Sequence, residues 1–379
     1  MSNILIAAVA LIGLLIAAEL AFRVWHRRVH GRGYFVALKF RWNENHVVAH
    51  PFLTFAYRKN SVIDQNQRLP YALWPNRYYS FKEPLVLNSI GHFGPEISIE
   101  RNPESLRVAC LGSSGVANNI ADEERDYCWP TMLQDRLAST QLSHRHFKSV
   151  EVMNCGIGGW TMIDIFIDFA VNIVHYRPDY VVIYQGLNDL PLHLMDGYAF
   201  DYAHGRRNLG EALHVIKRGY WFPKLRWWHS YEFVKNRLVG SGNVRNEVIE
   251  RVEICKPDYS RAYRPLIAEE SALRHILILC RAHGIRVVIG SYVFYDHNGA
   301  PRNRKLYEGV RLENAMFRRL AGEFGIPFVD LDGSIAKDRD HFVDAVHFAP
   351  AGMEFVAERV ADAILEEVAR VRPLRSVAT

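Results

Sequence analysis

The sequence predicts an α/β fold in which helices cover both faces of a parallel sheet. From residue 105 to the C-terminal region, segments with strand character alternate with segments of helical periodicity, as in right-handed βαβ crossovers. The strand segments are continuous apolar runs, such as YVVIY at 180–184 and RVVIG at 286–290. Strands that are buried on both faces have this character. We therefore expect a doubly wound parallel sheet of about five strands.

Helical patterns separate the predicted strands along the chain. The strands are expected at 106–111, 150–154, 180–185, 285–290 and 326–330. The helices are expected at 126–142, 161–176, 267–283, 308–324 and 350–370. Cys110 and Cys155 fall in the first two strands, where a thiol is commonly a small buried hydrophobic group. The five cysteines show no CxxC spacing, so neither a zinc site nor a disulfide framework is indicated.

The N-terminal segment is predicted to be a membrane anchor over 1–22. Residues 4–22 are almost wholly apolar and have about the length that a helix needs to cross a bilayer. A cleaved signal peptide and a buried helix are the alternatives, but no basic residue precedes the apolar stretch, as a signal peptide would require. Four arginines follow the span, and the positive-inside rule then puts the rest of the chain in the cytoplasm.

Two segments lie outside the α/β alternation. Residues 23–104 are rich in aromatic residues and proline without a helical period, and we interpret them as an irregular N-terminal extension. Residues 193–265 are too long for an ordinary connection and contain the aromatic stretch GYWFPKLRWWHSYEF. We interpret this insertion as a small subdomain, a lid over the substrate, or a surface that enters the lipid interface. The main domain is therefore predicted to span 105–379 and to contain the insertion.

The composition is that of a globular protein and argues against nucleic acid as a partner. Hydrophobic residues make up 49% of the chain, enough for a sizeable core. Lysine and arginine number 46 against 41 aspartates and glutamates, a net charge of +5. The basic residues occur in scattered pairs and form no long run, whereas nucleic-acid binding calls for a concentrated basic surface.

Glycine-rich and polar stretches follow the predicted strands, at the edge where α/β sheets bind ligands. GSSG at 112–115 follows the first strand, NCGIGGWT at 154–161 the second, and QGLND at 185–189 the third. DAVHF at 344–348 comes after the last strand. Because the carboxyl ends of parallel strands meet at one edge of a sheet, we expect the four stretches to converge.

These stretches contain the groups that acyl transfer needs. A serine becomes a nucleophile when a base takes its proton, and His347 is a candidate base. Asp344 stands three residues earlier, a spacing that lets a carboxylate orient the imidazole and stabilise its cation. The backbone N–H groups of Ser114 and Gly159, together with the Asn188 amide, would form an oxyanion hole for the substrate carbonyl oxygen.

The residues alone leave two assignments open. Ser113 and Ser114 stand side by side in the first stretch, and either is a candidate nucleophile. The Asp-x-x-His spacing also occurs at Asp201–His204 and Asp338–His341. The first of these pairs falls in the insertion rather than after a strand. The second pair follows the last strand and competes for the role of the base.

The four stretches, in this order, resemble the SGNH (GDSL-type) hydrolase family. LGSSGV looks like its nucleophile block, NCGIGGWT like its glycine block, GLND like its Gly-x-Asn-Asp block and DAVHF like its Asp-x-x-His block. Upstream, NSIGHFGPE is similar to the lead-in of membrane-anchored bacterial members. Aligning Gly112 with the glycine of the first block makes Ser114 the nucleophile. Ser113 and Val116 depart from that block, which usually has an acidic residue or glycine and then a threonine at these positions.

The resemblance covers roughly 106–192 and 267–368 and implies a flavodoxin-like three-layer α/β/α fold. It also implies a membrane-anchored serine esterase that works through an acyl-enzyme intermediate, without a metal or an organic cofactor. The expected substrate is an acyl ester of a glycan or a lipid. An O-acyltransferase with the same residues and a catalytically silent scaffold or subunit of a membrane complex are the alternatives. Family members are often extracytoplasmic, so the periplasm is the alternative to the cytoplasm.

Overall fold

A computed structural model describes residues 2–30, 47–48, 50, 52–63, 69–70, 78–79, 85–117, 120–121, 126–140, 147–207 and 257–370. The chain divides into two compact units. The larger comprises His50–Gly205 and Cys255–Thr379, and the other comprises Met1–Ala49 and Arg206–Ile254. The sheet and the candidate site belong to the larger unit. The aromatic stretch of the insertion, at 219–233, lies outside the described residues, so the role of the insertion stays a prediction.

The elements are numbered in chain order. The strands are β1 (Val47–Val48), β2 (Ala56–Tyr57), β3 (Ser61–Ile63), β4 (Leu69–Pro70), β5 (Tyr78–Tyr79), β6 (Leu85–Leu87), β7 (Ser105–Gly112), β8 (Ile120–Ala121), β9 (Asp126–Tyr127), β10 (Ser149–Gly156), β11 (Tyr180–Tyr184), β12 (Arg286–Gly290) and β13 (Phe328–Val329). The α-helices are α1 (Ser2–His30), α2 (Ser114–Ala117), α3 (Trp129–Ser139), α4 (Met162–Val171), α5 (Leu190–His193), α6 (Ile267–Ala282), α7 (Pro301–Phe324), α8 (Leu331–Ser334) and α9 (Pro350–Arg370). A 3-10 turn spans Ile173–Tyr176, and a π-helical turn spans Ala203–Arg207.

Five strands form the central sheet, in the spatial order β10-β7-β11-β12-β13. Every neighbouring pair is parallel. Counted along the chain, this order is 2-1-3-4-5, which is the strand order of flavodoxin-like doubly wound folds. Helix α3 packs against α9, and α4 packs against α6. The predicted α/β fold with a parallel sheet of five strands is therefore confirmed.

The strands are apolar throughout because both of their faces are covered. All eight residues of β7 and all five of β11 are buried. Cys110 in β7 and Cys155 in β10 are 0% and 2% exposed, so the prediction that these thiols lie in the core is confirmed. An amphipathic alternation is absent from β7 and β11 for the same reason, since neither face meets water.

The largest difference from the predicted boundaries is at the start of α7. This helix begins at Pro301 rather than at residue 308, after the extended residue Ala300. Proline suits the first helical position because its fixed φ is helical and its missing N–H would have no partner there. The helix predicted over 161–176 is also divided. It ends as an α-helix at Val171 and continues, after the non-helical residue Asn172, as the 3-10 turn.

The apolar N-terminal segment forms most of helix α1. Within this helix the Glu19 carboxylate accepts a hydrogen bond from the Arg23 guanidinium, one turn later, at 2.8 Å. Across the part of the chain that the structure describes, no helix is both long enough and apolar enough to cross a membrane. The transmembrane anchor predicted over 1–22 therefore finds no support in the structure.

Part of the N-terminal extension packs on the main domain. Strands β3 and β6 pair in antiparallel fashion, and Phe93 forms a β-bridge with Asn154 of β10. The imidazole of His92 lies 3.0 Å from the carboxylate of Asp168 in α4, and both side chains are almost wholly buried. These contacts join residues 85–93 to the sheet and to α4.

The His92–Asp168 pair makes the stability of the fold depend on pH. Burial alone would lower the pKa of His92, but the Asp168 carboxylate and the neighbouring Cys155 together outweigh burial and raise that pKa to about 10. A raised pKa in the folded state gives stability that is complete below the unfolded value of about 6.5 and is lost as the pH rises toward the folded value. We expect the free energy of unfolding to fall between about pH 7 and pH 10 more steeply in the wild type than in His92→Gln. Urea denaturation across that range measures both slopes, and equal slopes would contradict the expectation.

Candidate active site

Three neighbouring strands of the sheet end at the same level. Gly112 at the end of β7 is in register with Gly156 of β10 and with Tyr184 of β11. In a sheet of order 2-1-3-4-5 the winding direction changes between the first and third strands, here β7 and β11, and ligands bind beyond the carboxyl ends at that point. The stretches that follow β7, β10 and β11 therefore meet at one edge, as predicted.

Two glycines allow the turn that contains Ser113 and Ser114 (residues 112–115, the serine turn) to lie close to the neighbouring strands. A methyl group on Gly112 would lie only 2.1 Å from the carbonyl oxygen of Tyr184. A methyl group on Gly156 would lie 2.3 Å from the backbone nitrogen of Ala117, the last residue of α2. Real side chains do not reach such distances from backbone atoms, so both positions require glycine. The glycines of the first two stretches thus bring α2 onto the ends of the strands.

The two serines of the turn differ in exposure. Ser113 is 1% exposed, and its hydroxyl has no hydrogen-bond partner among the described residues. Ser114 is half-buried. It also faces residues 154–161, the glycine stretch, because a methyl group on Gly158 would lie 3.7 Å from Cβ of Ser114. A nucleophile must reach the substrate, so the difference in exposure favours Ser114.

Asp344 and His347 form the hydrogen-bonded pair that their spacing predicts. Nδ1 of His347 lies 2.7 Å from Oδ2 of Asp344. The other carboxylate oxygen, Oδ1, accepts the backbone N–H groups of Val346 at 2.9 Å and of His347 at 2.8 Å. Burial alone would raise the pKa of Asp344, but the charge of His347 and these hydrogen bonds outweigh burial and lower that pKa. The carboxylate is therefore ionised near neutral pH and can stabilise a charged imidazole.

Of the two other Asp-x-x-His pairs, Asp338 and His341 form a side-chain hydrogen bond, whereas His204 bonds the backbone. Nδ1 of His341 lies 2.7 Å from Oδ1 of Asp338, so this pair also forms. The side chain of Asp338 is half exposed. His204 instead bonds backbone groups, since Nδ1 accepts the N–H of Ala199 at 3.1 Å and Nε2 lies 3.0 Å from the carbonyl oxygen of Leu192. Sequence spacing therefore does not separate His341 from His347.

The ring of Tyr184 links the serine turn to the loop that carries His347. Phe348, the residue after His347, packs on Tyr184 with 5.7 Å between the ring centroids. On the serine turn, a methyl group on Gly115 would lie 2.8 Å from the same ring. The residues that follow Ser114 and His347 therefore share one neighbour at the end of β11. This arrangement favours His347 over His341 as the base.

The glycine stretch and residues 185–189, the Asn188 loop, are joined by hydrogen bonds to the carbonyl oxygen of Trp160. The side-chain amide of Asn188 donates to this oxygen at 2.9 Å, and the amide of Gln185 donates to it at 3.1 Å. Gly159, one residue earlier, has φ +88°, a left-handed conformation that favours glycine. These hydrogen bonds orient the Asn188 amide beside the backbone of the predicted oxyanion-hole residue Gly159.

Buried carboxyl groups lie against the Asn188 loop. They were not identified from the sequence. Leu187 has φ +65°, a conformation that is unfavourable for leucine, and its N–H donates to Oε2 of Glu313 at 3.4 Å. Glu313 and Glu269 are both 0% exposed. Burial raises the pKa of each well above its usual range. The charges of Glu313 and Asp189 raise the pKa of Glu269 further, and the charge of Asp189 raises that of Glu313. Glu313 lies 126 residues from Leu187, so no local pattern connects the two.

Asp189, the last residue of the third stretch, has a structural role. Its side chain is 0% exposed, and its carboxylate oxygens accept the backbone N–H of Met162, the first residue of α4, at 3.2 Å. A carboxylate at a helix N-terminus is favoured by the unpaired N–H groups and the helix dipole. Across the described residues, no cluster of three metal-ligating side chains is arranged to hold an ion.

The chain matches the family model of the GDSL-like lipases/acylhydrolases over residues 110–355. Similar solved structures include an acetyl xylan esterase with 14% identity, TM-score 0.38 and coverage of 68% of this chain and 98% of that one. A lipase/acylhydrolase from Enterococcus faecalis has 14% identity, TM-score 0.38 and coverage of 71% and 98%. A variant acetyl xylan esterase from Geobacillus stearothermophilus has 15% identity, TM-score 0.39 and coverage of 74% and 100%. No curated protein matches significantly. Since the family match covers more than half of the chain, the chain belongs to the GDSL-like lipase/acylhydrolase family and is a hydrolase of ester bonds.

Proposed function

We propose that the chain is a serine esterase that cleaves an acyl ester through a covalent intermediate on Ser114. The observation that supports this most is the common level of Gly112, Gly156 and Tyr184. It puts the serine turn, the glycine stretch and the Asn188 loop at one edge of the sheet. The pair of Asp344 and His347, 2.7 Å apart, adds a base with an orienting carboxylate.

In the first half of the proposed reaction, the Ser114 hydroxyl attacks the carbonyl carbon of the ester. His347 bonds Asp344 through Nδ1, and Nε2 is the ring nitrogen that takes the serine proton in this step. A C–O bond forms between Ser114 and the acyl group, and the carbonyl oxygen gains negative charge. Nε2 then gives its proton to the leaving alcohol as the ester C–O bond breaks. Asp344 stays ionised and stabilises the imidazolium.

The oxyanion would be held by the N–H groups of Ser114 and Gly159 and by the Asn188 amide. The carbonyl of Trp160 accepts a hydrogen bond from the Asn188 amide at 2.9 Å and orients it. Losing one donor of this kind costs about 2.7–4 kcal/mol of transition-state stabilisation. In the second half of the reaction, His347 takes a proton from water as the water oxygen bonds the acyl carbon. It then gives that proton to the Ser114 oxygen as the bond between Ser114 and the acyl group breaks and the acid is released.

The substrate class in this proposal is an acyl ester of a glycan or a lipid. Family membership supports water as the acceptor of the acyl group, in preference to the hydroxyl of a second substrate. The cellular location predicted from the arginines after residue 22 stays a prediction. A reporter fused to the C-terminus would distinguish the cytoplasm from the periplasm in cells.

A fluorophosphonate probe tests the proposal, because it reacts covalently with activated serines. We expect one label per folded chain, mapped to Ser114 by peptide mass spectrometry and absent after denaturation. Ser114→Ala should abolish both the label and the hydrolysis of p-nitrophenyl acetate. Ser113→Ala is the matched control and should keep both. A label on Ser113 would reverse the assignment of the nucleophile, and a folded chain with neither label nor esterase activity would support the scaffold alternative.

A further inference from the structure

The N-terminal extension runs along the glycine stretch of the active site. Its Phe55 carbonyl accepts the indole N–H of Trp160 at 2.9 Å. Beside it, the backbone N–H and hydroxyl of Thr54 donate to the Asp164 carboxylate at 2.9 and 3.0 Å. A methyl group on Gly159 would lie 3.7 Å from the Phe55 ring. Residues 52–57 therefore form a wall next to the glycine stretch, although they lie outside the family match, which begins at residue 110.

Tyr57, two residues further along this wall, brings a phenol to the serine. The phenol oxygen of Tyr57 lies next to the backbone of Gly158. A methyl group on Gly158 would lie 3.5 Å from this oxygen and 3.7 Å from Cβ of Ser114. The phenol and the proposed nucleophile therefore lie next to the same glycine.

The Tyr57 side chain is held in place and protonated. Its ring packs against Phe93 with 5.3 Å between centroids. A methyl group on Gly91 would lie 2.8 Å from the Tyr57 carbonyl oxygen, so the backbones of these two residues are in close contact. Burial raises the pKa of Tyr57 to about 12, although the backbone of Gly158 acts in the opposite direction. The phenol therefore keeps its hydrogen at neutral pH and can donate it.

We propose that Tyr57 is a further catalytic residue, whose phenol O–H donates a hydrogen bond to the ester oxygen that becomes negatively charged at Ser114. This inference rests on the proposed function. The extension thus supplies a donor to the oxyanion that the family blocks do not contain.

The test compares Tyr57→Phe with a matched control, Tyr180→Phe. Tyr180 is also buried, and its phenol accepts a hydrogen bond from the Arg286 guanidinium at 2.8 Å. It stands at the amino end of β11, the end opposite the site. For p-nitrophenyl acetate and an alkyl acetate, we expect Tyr57→Phe to lower kcat/KM about a hundredfold, mainly through kcat, as for other oxyanion donors. Tyr180→Phe should keep kcat/KM within about twofold of the wild type.

Fluorophosphonate labelling and thermal unfolding of the same samples separate the possible failures. Tyr57→Phe should retain a folded site that labels at Ser114, with a melting temperature lowered no more than in Tyr180→Phe. If Ser114 labels in the wild type but Tyr57→Phe keeps wild-type kcat, the inference about Tyr57 fails and the proposed function stands. A loss of kcat that only accompanies a drop in melting temperature would also overturn it, since that result indicates a packing role. Absence of label and activity in the wild type would instead defeat the proposed function.

Discussion

Replacing His347 with alanine is expected to lower kcat/KM for ester hydrolysis by about a thousandfold or more. Without the imidazole, the Ser114 hydroxyl has no group to take its proton, and the leaving alcohol has no group to supply one. The residues of such a triad act as a unit, so removing one loses most of what the three achieve together. Steady-state hydrolysis of p-nitrophenyl acetate measures the change, and circular dichroism checks that the variant is folded.

His341→Ala is the matched control for this substitution. His341 forms an aspartate pair with the same 2.7 Å separation and stands in the same loop region. Its carboxylate partner Asp338 is half exposed, however, whereas the residue after His347, Phe348, packs directly on Tyr184. We expect His341→Ala to keep kcat/KM within about twofold of the wild type, as is usual for a surface ion pair. The reverse pattern, with His341→Ala inactive and His347→Ala active, would transfer the role of base to His341.

Replacing Gly156 with alanine is expected to lower kcat/KM about a hundredfold without touching any group that takes part in the proposed chemistry. The added methyl group would lie 2.3 Å from the nitrogen of Ala117 and 2.8 Å from the carbonyl carbon of Val116. Both atoms belong to the backbone of α2, which begins at Ser114. The helical turn has to move to relieve this clash, and a displacement of about 1 Å in a catalytic group costs about a hundredfold in rate. The melting temperature should fall as well, because the clash is in the core.

Gly322→Ala controls for the general effect of adding a methyl group to a glycine. Gly322 lies in α7, and its added methyl group would have nothing within 4 Å. Alanine is more favourable than glycine in a helix interior, by about 0.8–1.0 kcal/mol. We therefore expect unchanged kcat/KM and a slightly higher melting temperature for Gly322→Ala. A Gly156→Ala variant with wild-type kcat/KM would show that the turn tolerates displacement, and the proposed dependence of Ser114 on close packing would be wrong.

The central sheet was predictable because its signal is local and repeated. Strands such as β7 and β11 are buried along their whole length, and continuous burial produces continuous apolar runs that are visible in the sequence. The Asp344–His347 hydrogen bond was predictable for the same reason, since three residues of chain suffice to join the two groups. The meeting of the serine turn with the glycine stretch also followed, because parallel strands in register end at one edge.

Other features depend on groups that lie far apart in the chain. Both Asp-x-x-His pairs form, so spacing could not choose between His341 and His347; the exposure of Asp338 and the packing of Phe348 on Tyr184 separate them. Likewise, Ser113 and Ser114 are equivalent by composition and differ only in exposure, which the packing around the turn determines.

The hydrogen bonds that hold the loops of the site in place are the features that the sequence reveals least. Glu313 reaches the Leu187 backbone across 126 residues, and Trp160 bonds Phe55 across 105. No periodicity or short motif encodes such contacts, because each partner has an ordinary pattern of its own. Local order along the chain therefore establishes which elements form and which chemical groups follow each strand. The choice among equivalent groups, and the placement of Tyr57 beside Ser114, arise from close packing between distant segments, where a few tenths of an ångström determine which side chain fits.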